Sequence, residues 1–135
     1  MYLLDTVVLS ELRKNHVHPG LAEWMSDKND SELFLSVLTI GEIRRGIQLQ
    51  QSQNPQFSAR LAKWLDTVIL LYGERVLPVS TSIALEWGNI SAQTGNSGAD
   101  ALIAATAKIH HLTVVTRNIK HFEPTGVPCL NPWRN

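Results

Sequence analysis

The chain has 135 residues, 44% of them apolar, and its 12 basic and 12 acidic residues leave a formal net charge of zero. This is material for one compact domain with one core, and the balanced charge excludes a general nucleic-acid coating protein. No apolar run reaches the roughly 18–20 residues of a membrane span, and the N-terminus lacks the layout of a signal peptide. The single cysteine, Cys129, excludes a disulfide framework and a Cys-based zinc site, so the cytoplasm is the expected compartment.

In chain order, Tyr2-Leu3-Leu4 is a short strand ending at Asp5. Thr6 to Lys14 follows as a helix whose last turn carries Arg13 and Lys14, where cations suit the helix dipole. Pro19-Gly20 punctuates before a helix from Leu21 to about Asp27. Leu33 to Val37 is the second strand, and a helix runs from Thr39 to about Gln51. Polar residues ending in Asn54-Pro55 mark a bend, and the next helix covers about Gln56 to Tyr72. Arg75 to Val79 is a third strand, Thr81 to Gln93 a helix, and Gly95-Asn96-Ser97-Gly98 a bend. A helix over Ala99–His110 leads to a fourth strand, Leu112–Thr116, and Val127 to Leu130 is a fifth. Short apolar strands alternating with helices predict an α/β fold: a single domain with a mainly parallel central sheet of four to five short strands flanked by helices.

In such sheets, ligands bind beyond the carboxyl ends of the strands. Asp5 follows the first strand and Asn118 the fourth. Glu42 lies early in the helix after the second strand, and Asp100 opens the helix feeding the fourth. This topology can bring all four to one edge. Three carboxylates in one cleft repel one another, and a hard divalent cation such as Mg2+ or Mn2+ relieves the repulsion. Such a site suits phosphodiester hydrolysis. Each residue also has a plainer use: Asp5 as a helix cap, Thr39-x-x-Glu42 and Ser97-x-x-Asp100 as capping boxes, and Asn118 as a left-handed turn residue. Spacing alone leaves these alternatives open.

Four blocks resemble the signature of the PIN-domain family, in order. They are Leu3-Leu4-Asp5-Thr6; Leu35-Ser36-x-x-Thr39-Ile40-Gly41-Glu42-Ile43-x-x-Gly46; Ala99-Asp100-Ala101-Leu102-Ile103-Ala104-Ala105-Thr106-Ala107; and Leu112-Thr113-Val114-Val115-Thr116-Arg117-Asn118. The closing Asn131-Pro132-Trp133 is similar to a bacterial branch of VapC-type toxins that includes FitB-like proteins. The resemblance implies a PIN domain over 1–135 and a metal-dependent ribonuclease acting as the toxin of a type II toxin–antitoxin pair. It implies Asp5, Glu42 and Asp100 as metal ligands and catalytic acids, with Asn118 a weaker ligand where the family often has a fourth acid. The expected partners are RNA, a cognate antitoxin and a second copy in a homodimer, with no membrane. His121-Phe122 stands where many members read Asp-Phe.

Thr6 and Thr116 carry hydroxyls beside the acids and are candidates to orient Asp5. Arg44, Arg45 and Arg117 are candidate phosphate contacts, although Arg45 is also spaced to pair with Glu42 on the helix surface. The five histidines show no metal-ligand spacing and receive no chemistry. Trp24, Trp64 and Trp87 read as core or interface residues. A haloacid-dehalogenase-type phosphatase would want Asp-x-Asp where Asp5-Thr6-Val7 stands, and a phosphoacceptor receiver would want an aspartate where Val79-Ser80-Thr81 offers none. A housekeeping RNA-processing nuclease and a non-catalytic binding module remain the alternatives.

Overall fold

A computed structural model describes residues 1–133. Its five strands are β1 (Tyr2–Leu4), β2 (Leu33–Ser36), β3 (Val76–Leu77), β4 (Thr113–Val115) and β5 (Cys129–Leu130). They form one sheet in the order β3-β2-β1-β4-β5, with every neighbouring pair parallel. The helices among the described residues are α1 (Thr6–Leu12), α2 (Pro19–Ser26), α3 (Val37–Gln50), α4 (Pro55–Tyr72), α5 (Thr81–Thr94), α6 (Ala99–His110) and α7 (Ile119–Phe122).

Side chains alternate across the sheet, as strand geometry requires. Leu3 and Val114 turn into one core with Ile83 and Ile90 of α5 and the buried residues of α6. Leu4 and Val115 turn into the other, with Val8 and Leu9 of α1, Leu21 of α2 and Val68 of α4. Both faces are covered, which is why the strands are apolar throughout. Trp87 packs half-buried against the first core, and Trp24 and Trp64 against the second, as expected of aromatics at apolar helix positions. Half-buried Cys129 also packs on the first core, where burial pushes its thiol pKa up.

Several boundaries differ from the sequence reading, each for a local reason. Helix α1 ends at Leu12, so Arg13 and Lys14 lie beyond its last turn. Glu11 draws the chain back there, accepting from Lys14 Nζ at 2.9 Å and from the His18 amide at 3.0 Å. Helix α2 starts at Pro19 rather than Leu21, because proline suits a first helical position and His18 Nδ1 accepts from the Gly20 amide. Helix α3 starts at Val37 rather than Thr39: extended Ser36 caps it by accepting from the Leu38 amide at 3.1 Å. Strand β3 shrinks to two residues. Pro78 has no amide to give the ladder, and Arg75 sits in a 3-10 turn with its guanidinium on the carbonyls of Leu33 and Leu71. Helix α7 forms where the sequence pattern predicts none.

Candidate active site

The order of strands reverses at β1, which has β2 on one side and β4 on the other. The crevice for a ligand in such a sheet opens at the carboxyl end of this switch point. Asp5 stands there. Its amide donates to the Val115 carbonyl at 2.9 Å, continuing the β1–β4 ladder by one bond. The side chain then turns into the crevice and is only 5% exposed.

Both Asp5 oxygens are held. Oδ1 accepts from the Thr6 amide and Oδ2 from Thr116 Oγ1, each at 2.8 Å. Thr116 directly follows β4, is fully buried, and accepts in turn from the Asn118 amide at 2.9 Å. Burial is the main force on the Asp5 carboxyl and pushes its pKa up; the two hydrogen bonds pull it back, and the charges of Asp100 and Glu42 raise it again. Asp5 is therefore both the cap of α1 and a member of a three-carboxylate cluster.

Glu42 reaches the cluster from α3. Its Oε1 accepts from Thr6 Oγ1 at 2.5 Å, and the same Thr6 oxygen lies 3.0 Å from the buried Thr39 hydroxyl. Thr39 and Glu42 are three apart and share a helix face, so Thr39 supports the site from inside the first turn instead of capping the helix. No ion pair joins Glu42 to Arg45 among the described residues. Arg44 and Arg45 are both exposed.

Asp100 lies in the first turn of α6, where negative charge suits the dipole. The Ser97 capping box does not form, because Gly98 takes the cap position. Asp100 Oδ2 instead lies 3.2 Å from His121 Nδ1 on α7. Spacing assigns the histidines no chemistry, and the structure adds that His121 stands in contact with one of the acids. Neither Thr39 nor His121 is among the residues the sequence points to for the site.

Asn118 takes the cap position of α7 at φ −105° and ψ 63°, so it is not a left-handed turn residue. Its link to the acids among the described residues is the backbone bond through Thr116. With Arg117, Lys120 and His121 it lines a cavity of about 200 Å³. The Arg117 guanidinium lies 5.9 Å from the centre of the Trp133 ring. Glu42 stands on the rim of two further cavities: about 240 Å³ between α1, α3 and α4, and about 330 Å³ beside Leu38, Trp87 and Leu102.

The chain closely matches known proteins. The PIN domain family matches residues 2–126. The VapC ribonuclease Y4jK of Sinorhizobium fredii is 33% identical, covering 98% of both chains. Toxin FitB of Neisseria gonorrhoeae is also 33% identical, over the whole of both. The crystal structure of FitAcB from the same organism superposes with a TM-score of 0.89, 32% identity and full coverage of each chain. A parallel five-stranded sheet, a carboxylate cluster at its switch point and end-to-end similarity agree: the chain belongs to the PIN-domain family, on the branch of VapC- and FitB-type toxins.

Proposed function

We propose that this chain, as one PIN domain over 1–135, is the ribonuclease toxin of a type II toxin–antitoxin pair, hydrolysing RNA phosphodiester bonds with Mg2+ or Mn2+ at an acidic site. The observation that carries this reading is the Asp5 carboxylate, buried, oriented by two hydrogen bonds and raised in pKa chiefly by burial and to a smaller degree by the charges of Asp100 and Glu42. Like charges within reach of a buried carboxylate cost stability unless a cation joins them.

The donors fit such an ion in kind. Asp5, Glu42 and Asp100 offer only hard carboxylate oxygens, the ligands that Mg2+ and Mn2+ prefer. Among the described residues, no three His, Cys, Asp or Glu side chains are gathered closely enough to hold a metal ion by themselves. Magnesium keeps several waters and takes one or two carboxylates plus substrate phosphate, so it does not need three protein ligands in place beforehand. When bound, the ion supplies charge neutralisation and Lewis-acid activation of the phosphodiester.

The chain's own residues do the positioning. The Thr6 amide and Thr116 hydroxyl fix the Asp5 carboxylate, and the Thr6 hydroxyl orients Glu42. Asn118 offers a neutral oxygen at the periphery and binds an ion more weakly than the acids. Arg44, Arg45 and Arg117 meet phosphates of the RNA around this centre. The partners are a neutralising antitoxin and a second copy of the chain, and the place of action is the cytoplasm. No helix among the described residues is long and apolar enough to cross a membrane.

Purified protein is expected to cut single-stranded RNA with Mg2+ or Mn2+ and to stop in chelator; undiminished cleavage in excess chelator overturns the metal reading. Expression alone is expected to arrest bacterial growth, with relief by the cognate antitoxin. Harmless expression of a protein that is active in vitro favours the housekeeping nuclease. A strictly monomeric sedimentation profile at high concentration removes the homodimer.

A further inference from the structure

A nuclease centred on three carboxylates repels the polyanion it must bind, so the cations that hold the substrate have to lie outside the cluster. The cavity rimmed by Thr6 and Glu42 also carries Arg13, Phe57, Leu61 and Trp64 on its far wall. The same four residues line an adjoining cavity of about 540 Å³, together with Lys14 and Arg60. The two form one groove, running from the acidic cluster between α1 and α4 to the surface.

The mouth of this groove is cationic and aromatic. The Arg13 guanidinium lies 5.5 Å from the centre of the Phe57 ring, and that of Arg60 lies 5.8 Å from it. Neither arginine is in an ion pair among the described residues, whereas neighbouring Lys14 is paired with Glu11 at 2.9 Å. An aromatic ring attracts a guanidinium without consuming its N–H donors, so both forks stay available for a phosphate. Both arginines are exposed, which makes the desolvation cost of meeting an anion small, while Phe57 and Trp64 are half-buried in the walls. A basic groove with aromatic walls is the arrangement that takes single-stranded nucleic acid without reading its sequence.

We propose that the α1–α4 groove is the track for unpaired RNA flanking the scissile bond, with Arg13 and Arg60 gripping one backbone phosphate on the way to the acidic cluster. The inference rests on the ribonuclease reading above and adds a binding site to it. The two guanidiniums act in holding the strand, so their loss raises KM and leaves the chemical step alone.

The test compares wild type, Arg13→Ala, Arg60→Ala, the double variant, the corresponding lysine variants and Lys108→Ala, which removes one positive charge elsewhere. Cleavage of a labelled single-stranded oligoribonucleotide is followed in Mn2+. Binding of the same oligonucleotide is followed by fluorescence anisotropy in chelator across a salt series. The double variant is expected to raise KM on the order of tenfold with kcat within about twofold. It is also expected to flatten the salt dependence of binding by about 0.7 in log–log slope for each phosphate it no longer neutralises. The lysine variants recover part of the binding, and Lys108→Ala behaves as wild type. Unchanged KM and unchanged anisotropy in the double variant overturn the track, including the case where only docking of a protein partner is weakened. Wild-type protein that binds the oligonucleotide through these arginines but never cuts it keeps the track and overturns the ribonuclease reading instead.

Discussion

The two faces of the sheet are closed in different ways. On one, α6 buries Ala101, Ile103, Ala104, Ala105, Thr106 and Ala107, and its small side chains bring neighbouring elements close. On the other, the α3–α4 pair buries little: Thr39 and Ile47 from α3, and Ser58, Leu65 and Val68 from α4. Leu70 and Leu71 of α4 point outward at 82% and 68% exposure. The first face is the more fully packed, with one cavity at its edge beside Trp87 and Leu102, and the second holds the α1–α4 groove. The acidic cluster sits at the seam, with Asp100 supplied by the packed side, Glu42 by the open side and Asp5 by the sheet between them.

The largest effect expected is on the chemistry at the seam. Asp5→Asn and Asp100→Asn should each slow cleavage on the order of 100-fold or more, about 3 kcal/mol of transition-state stabilisation. Asn118→Ala should keep measurable activity, and Asn118→Asp should bind metal more tightly while lowering metal-free stability. Single-turnover cleavage and metal titrations of the four variants check this. An Asn118→Ala protein as inactive as Asp100→Asn would place Asn118 among the central ligands.

Packing separates the faces next. Ala105→Leu adds volume where nothing is exposed and should cost about 1–3 kcal/mol. Leu70→Ser, on the open side, should change stability by no more than about 0.5 kcal/mol. Equal shifts of the urea midpoint for the two would erase the distinction between a packed and an open face.

A smaller effect follows from Asp5. Its carboxyl pKa is raised, chiefly by burial, so its contribution to the metal-free fold is fully present below the ordinary aspartate value of about 3.9. That contribution is lost as pH rises through the raised value, because a buried charge then forms beside Asp100 and Glu42. In chelator, the melting temperature of wild type relative to Asp5→Asn should therefore fall from acid to neutral pH. A pH-independent difference would mean that Asp5 is no more costly to ionise in the folded chain than in the unfolded one.

The smallest expected gain lies at the end of α6, where His111 adopts a left-handed conformation at φ 56°. Glycine carries no Cβ penalty there, and His111→Gly should stabilise by up to about 1 kcal/mol. Thermal denaturation measures it.

Legibility in the sequence follows the reach of each interaction. Helix α6 is readable to both ends, because an apolar period, a glycine before it and a basic last turn all agree. The start of α3 is not: Thr39-x-x-Glu42 has the letters of a capping box, but extended Ser36 at the strand end takes the cap first. Helix α7 is four residues long, too short to show any period. In the site, the three acids stand out through family motifs. Thr39 and His121 do not, since the first meets Thr6 across 33 residues and the second meets Asp100 only once α6 and α7 are folded together.

The bond from Thr116 to Asp5 spans 111 residues of chain. At the ~5–20 residues per second of protein synthesis, on the order of ten seconds separates the making of one partner from the other. Until β4 has emerged and paired with β1, Asp5 has neither its ladder bond to Val115 nor the hydroxyl that orients its second oxygen. A chain still being translated thus carries the first acid of the site without the wall that sets it. The danger of making a toxin on a ribosome, surrounded by RNA, is deferred by topology until β4 has been made and paired.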